Sequence, residues 1–223
     1  AEAWRIQFNT TKTVLMIFSP NGKIPLNTFI SFGPNVIYPS SKHTHLGMTF
    51  SSDLRWTDHI DNTVSECSKM LGLLRRQAYN LSFEQKCIMY LSVIRPKIEY
   101  ASIVYDACAL YDVIKLDHLQ RRAALICTNA MYRTDNKPLF DLLRWEGLGD
   151  RRTVAKLCLF YKILRKQAPS YLCDLVSICN VHGSVTRNAD PSRLNVVINK
   201  CRLTFSQKMF INHMSGLWNN LPV

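Results

Sequence analysis

The chain has 223 residues, 47% of them hydrophobic, enough for one large or two small domains with a true core. Its 28 Lys and Arg against 16 Asp and Glu give a formal charge of +12, so a polyanionic partner is expected, nucleic acid before anionic membrane. No apolar run approaches the roughly 20 residues of a membrane span; eight cysteines without one CxxC, and no secretory leader pattern, favour a reducing compartment, cytoplasmic or nuclear.

The first third reads as extended segments. Ile6 to Phe8 and Val14 to Phe18 are strand-like and flank the polar turn "NTTK", so a hairpin is expected. Pro20, Gly22, Pro25, Gly33, Pro34 and Pro39 then punctuate short extended pieces, "TFISF" and "NVIY". "HTHLGMTF" reads as strand, Gly, strand, the last before the pattern changes.

After Trp56 the apolar period becomes helical. Ile60, Val64, Cys67, Leu71, Leu74 and Ala78 form one stripe, with Asp58 and Asp61 in the first turn and Arg75 and Arg76 in the last. Ser82 and Gln85 form a capping box for a helix reaching about Ile94, before Pro96. "PKIEYASIVY" reads as a short helix. Asp112 is expected to cap the next, to about Thr128, with Leu116, Leu119, Ala123 and Ile126 inward. Pro138 suits the first turn of "KPLFDLLRW". "DRRTVAKLCLFYKILRKQ" reads as one long helix, apolar on much of its circumference, and "SYLCDLV" as a short one. A loop follows over 177–193, then a strand at "LNVVI" and a last helix from about Ser206 to Trp218.

The charge is uneven along this order. Residues 1–111 hold 11 basic and 8 acidic side chains, net +3, and 112–223 hold 17 and 8, net +9. Three Arg pairs stand out: Arg75 and Arg76, Arg121 and Arg122, Arg151 and Arg152. Arg121 falls opposite the Leu119 and Ala123 stripe, toward solvent or a partner, and outward cations of this kind contact phosphates. A solvated face is the alternative for any one pair. Trp56, Trp145 and Trp218 are expected to anchor helix junctions rather than stack on bases. His43 and His45 share a strand face, but no spacing supplies a third metal ligand, and Cys173, Cys179 and His182 do no better. No metal site, phosphate loop or Ser/His/Asp set is expected.

In this order, "WRIQFNTTKT", "VLMIF", "KHTHLGMTFSSDLRWTDHI", "LGLLRRQ", "YLSVIRPKIEYASIVYD", "KLDHLQRRAALICTN", "DRRTVAKLCLFYKIL" and "WNNLP" are spread along nearly the whole chain. The series resembles the C-terminal part of reverse transcriptases from non-LTR (LINE-like, jockey-type) retrotransposons. Each piece alone is a weak signal; their order is the strong one. The resemblance implies that "FNTTKT" is the fourth palm motif and that Lys12 faces the departing pyrophosphate, where a cation or proton donor stabilises leaving-group charge. A turn Lys in a hairpin is the alternative. It also implies that His45, Leu46 and Gly47 belong to a primer-grip-like hairpin, although this family more often has an aromatic where His45 stands. The helices beyond Trp56 would be the thumb, closing on RNA template and DNA primer.

The expected fold is therefore α+β: a β-rich remnant of a polymerase palm over 1–56, a helical thumb-like region over 57–137, and a helical C-terminal region over 138–223. The family's metal-binding carboxylates lie in motifs that would precede residue 1, and no Asp-Asp pair occurs in the sequence. Mg²⁺ is thus expected of the complete enzyme and no cofactor of this fragment, which should be inactive alone. The competing expectation is a non-enzymatic, basic, helical nucleic-acid-binding or interaction module co-opted from such an element.

Overall fold

The computed structural model describes residues 9–19, 28–33, 35–178, 195–202, 206–207 and 209–221. The β-rich part comprises two separate hairpins. Strands β1 (Ile30–Phe32) and β2 (Asn35–Ile37) pair antiparallel, Ile30 opposite Ile37; β3 (Lys42–His45) and β4 (Met48–Ser51) do the same, His45 opposite Met48. The expected strand at Val14 to Phe18 is not one. Leu15 makes a single parallel bridge to Pro39, whose missing N–H prevents a continuous ladder. The Ser40 N–H donates to the Leu15 carbonyl and the Ser19 N–H to that of Ser52, so the segment lies against both chain segments at the open end of the β3–β4 hairpin. The expected partner strand at Ile6 to Phe8 lies outside the described residues. The "NTTK" turn is a 3₁₀ turn, Thr10–Lys12, capped by the Asn9 side chain.

Helix α1 (Thr57–Gln77) buries Ile60, Cys67, Leu71 and Leu74, four members of the expected stripe, together with His59 and Thr63. Its partner is α5 (Leu110–Thr128). Thr57 bonds Tyr111, Asp61 accepts from Lys115, and Ser68 accepts from Arg122, each pair 54 residues apart. A constant separation over three turns means that the helices run parallel and in register. Asp112 does not cap α5, which starts at Leu110; it is 1% exposed and accepts from Thr57 at 3.0 Å and Lys115 at 3.1 Å. The two helix N-termini meet there, and the positive ends of both dipoles favour a carboxylate.

The return between α1 and α5 departs from expectation in an instructive way. The capping box opens α2 (Phe83–Met89) as expected. The helix does not stop before Pro96. It widens into a π-helical turn, Tyr90–Ile94, and continues as α3 (Arg95–Glu99), with Pro96 in its first turn. Pro cannot donate and clashes with the carbonyl four residues back; a wider turn relieves both problems. The expected helix through "PKIEYASIVY" is broken at Ala101, left-handed at φ +50°, before α4 (Ser102–Tyr105).

Helices α6 (Asn136–Leu143) and α7 (Leu148–Leu164) follow, and Trp145 between them stacks on Tyr90 at 4.2 Å. The other two Trp side chains among the described residues also pack at helix junctions: Trp56 against Phe50, and Trp218 against Phe160. Helix α7 spans two cores, which explains its broad apolar circumference. Leu148 joins the main core of the β3–β4 hairpin and α1–α6, while Phe160 and Leu164 join Val196 and Met214 in a second. Short α8 (Ser170–Cys173) follows; Val176 just beyond it and α9 (Phe210–Asn219) complete the second core. The expected strand at "LNVVI" is one bridge, Val196 to Ile178, and most of the expected loop at 177–193 lies outside the described residues. No helix among the described residues is long and apolar enough to cross a membrane.

Tyr90 is fully buried and its hydroxyl has no partner among the described residues. Tyr90→Phe should therefore raise stability by about 1 kcal/mol, because a buried unpaired hydroxyl costs that order. Trp145→Ala should remove the stacked ring and cost about 3–5 kcal/mol. Urea unfolding of both variants checks this; a loss of stability in Tyr90→Phe would reveal a partner for the hydroxyl.

Candidate nucleic-acid interface

The β3–β4 hairpin closes through a two-residue turn in which Leu46 (φ +48°) and Gly47 (φ +77°) are both left-handed. That turn matches the strands' right-handed twist, and at Gly47 it needs a residue without a Cβ. Leu46 is strained there, and 76% exposed. The Tyr100 hydroxyl donates to its carbonyl at 2.8 Å and so holds the turn against α3. Thus His45, Leu46 and Gly47 do come together, as an exposed tip fixed to the helical body. His43 is half-buried, its ring stacked 6.4 Å from that of His45.

Behind the tip lies a polar cleft of about 760 Å³, lined by Thr44, Thr49, Asn62, Ser65 and Lys69. His59 forms part of its wall. The Thr49 N–H donates to His59 Nδ1 at 3.4 Å, which fixes the proton of the neutral ring on Nε2. Burial pushes the His59 pKa below the ordinary value for His. Sequence reasoning passed over His59 because it sits on the apolar face of α1, where a polar residue carries no periodic signal.

The structure sorts the six singled-out arginines by partner. Arg75 and Arg76 are exposed in the last turn of α1, with no carboxylate in ion-pair range among the described residues. Arg122 is exposed and donates to Ser68 at 3.1 Å. Arg121 does not face solvent freely. Its guanidinium donates to the Tyr132 carbonyl at 2.8 Å and to Asn136 Oδ1, clamping the loop between α5 and α6. Arg151 and Arg152 are the larger correction. Arg151 chelates Glu99 and lies 3.6 Å from Glu146. Arg152 is 7% exposed beside Asp106, which also pairs with Lys156, itself 4% exposed. These two pairs hold α7 to α3 and to the end of α4. Their carboxylates, Glu99 and Asp106, lie about 50 positions away in sequence, so a local reading sees only a basic run.

Arg75 and Arg76 in the last turn of α1, and Arg122 in the C-terminal half of α5, thus remain exposed without a carboxylate partner among the described residues. Arg75 and Arg122 flank a groove between α1 and α5 with Leu71, Leu125 and Ile126 in its lining. Lys12 is exposed in its 3₁₀ turn, and no bond to its side chain is present among the described residues. Among those residues no three His, Cys, Asp or Glu side chains converge to hold a metal.

The lowered pKa of His59 sets a sign for pH dependence. The unfolded chain takes up the proton first as pH falls through the ordinary His range near 6.5, so stability present above that range is lost below it. His213, lowered by burial and then by Lys156, acts in the same direction. Urea midpoints should therefore fall from about pH 7 to about pH 5. His59→Gln should flatten part of that slope and leave the share of His213. An unchanged slope in His59→Gln would mean that the ring is not held neutral.

Comparison of the chain with protein-family models, with curated proteins and with solved structures gives no match.

Proposed function

We infer that this chain is the C-terminal portion of an RNA-directed DNA polymerase of a non-LTR retrotransposon, and that it holds the primer–template duplex by its backbone. The observation that carries this reading is the segregation of charge. Most cations near the core are neutralised by carboxylates, whereas Arg75, Arg76 and Arg122 are left exposed without one on the C-terminal halves of the paired helices α1 and α5. Such guanidiniums on a fixed surface suit phosphates, which give affinity without sequence preference. The β3–β4 tip supports the same reading. It is a rigid, strained turn that presents His45, Leu46 and Gly47 beside the helical body, as a primer-grip role requires.

Catalysis is not assigned to this chain. The divalent metal pair of such polymerases needs clustered carboxylates, and the residues present do not fit one: the sequence has no Asp-Asp pair, and its buried Asp112 and half-buried Asp106 are committed to Thr57, Lys115, Arg152 and Lys156. That commitment of Asp106 to Arg152 and Lys156, with the missing Asp-Asp pair, favours the second reading, a nucleic-acid-binding module without enzymatic activity. Lys12 keeps its proposed role at the leaving group only when joined to a palm that supplies those carboxylates.

Binding to a blunt RNA–DNA hybrid tests the reading. Affinity should fall steeply with salt, and replacing Arg75, Arg76 and Arg122 together by Ala should reduce the log–log slope by nearly one per lost phosphate contact. Arg151→Gln should leave the slope unchanged, because that side chain is committed to Glu99. With nucleotides and Mg²⁺ added, the primer should not be extended. Salt-independent binding, a triple variant that binds as before, or extension above a heat-inactivated control would each contradict the account.

A further inference from the structure

The groove between α1 and α5 has a composition that duplex backbone contact does not use. Its lining includes Leu71, Leu125 and Ile126, with Arg75 and Arg122 among the side chains around it and Tyr132 at its end. The space is about 540 Å³, within the range of small-ligand sites. No carboxylate is in the lining. Gly72 is also in the lining, and a Cβ built there would meet no atom within 4 Å, so a larger side chain has space to enter the groove.

Tyr132 is 83% exposed, yet its backbone is fixed. Arg121 holds its carbonyl and the Asn136 side chain together. On the other side of the loop, Lys86, 2% exposed, donates to the Asn129 side chain at 3.0 Å where α5 ends in a left-handed residue. An exposed aromatic ring on a clamped loop, an apolar groove and two guanidiniums without a carboxylate partner suit a nucleobase flanked by phosphates. Bases stack on aromatic rings regardless of sequence, and cations track the backbone on either side.

We propose that this groove is a binding site for an unpaired nucleotide: its base enters between α1 and α5 and stacks on Tyr132, and its flanking phosphates lie on Arg75 and Arg122. The assignment rests on the nucleic-acid reading above and adds to it a single-stranded segment next to the duplex. The occupant is chosen by charge. Two guanidiniums without a carboxylate select a polyanion, and the apolar lining selects one with a flat hydrophobic face, which a paired duplex does not offer.

Fluorescence anisotropy with the purified chain tests this against two labelled probes, a blunt RNA–DNA hybrid and the same hybrid with a single-stranded overhang. The overhang should tighten binding about tenfold, the lower end of what one base–aromatic stack contributes. Gly72→Leu fills the groove and spares both arginines; it should abolish the gain while leaving blunt-hybrid affinity and its salt slope intact. Tyr132→Ala, at an exposed position where folding is not at stake, should lose most of the gain, and Tyr132→Phe should keep it. No gain from the overhang, or a gain that survives both Gly72→Leu and Tyr132→Ala, overturns the proposal. If the blunt hybrid does not bind but a free single strand does, and Gly72→Leu abolishes that binding, the groove assignment stands and the duplex reading fails.

Discussion

The parallel pairing of α1 with α5 is the constraint on which the rest depends. Parallel neighbours align their dipoles, which repel at each end, so the pairing needs something to hold it. Asp112 supplies this where the two N-termini meet, buried with the Thr57 hydroxyl and the Lys115 ammonium around it. From there the register of 54 residues runs through Asp61 and Lys115 to Ser68 and Arg122. One end of the pair therefore carries the β3–β4 hairpin, and the C-terminal halves carry three cations and a groove. If the register slipped by a turn, Arg122 would leave Ser68 and its two-turn offset from Arg75 along that groove would change.

A parallel pair also requires a return path, and the return explains the irregular middle of the chain. The π turn at Tyr90–Ile94 and the left-handed Ala101 bend the path from the end of α1 back to its start. The first departure is held by a long-range contact and the second by a bond across the bend itself. Tyr90 is stacked on Trp145, and Tyr105 next to the α4 terminus donates to the Ile98 carbonyl. Tyr100 leaves the same bend and reaches the hairpin turn, so the exposed Leu46–Gly47 tip is positioned by the helices and not by its own strands alone.

Helix content and helix faces were legible in the sequence because period and caps are local signals. The Ile60 to Leu74 stripe and the Ser82–Gln85 box needed nothing beyond their neighbours. Gly between strand segments likewise marked the hairpin at 42–51. The failures have a common cause. Asp112 reads as a cap until Thr57, 55 residues away, claims its carboxylate. Pro96 reads as a terminator until a π turn absorbs it. Arg151 and Arg152 read as a basic surface pair until Glu99 and Asp106 arrive from another helix. The candidate site was half legible for the same reason: Arg75, Arg76 and Arg122 carry a charge signal, while Gly72 and Tyr132 matter only through the space between two helices.

The electrostatic consequence is that net charge overstates the cationic surface available to a partner. Of the +9 carried by residues 112–223, much is consumed inside the fold or spread over α7 and beyond. What remains concentrated and free is small, and its position follows from the helix register. Arginine-specific chemical modification read by mass spectrometry measures this directly, in the free chain and with a bound RNA–DNA hybrid. Arg75, Arg76 and Arg122 should react when free and become protected on binding, while Arg152 should stay unreactive in both states. Protection that falls elsewhere while Arg75, Arg76 and Arg122 still react in the complex would contradict the account.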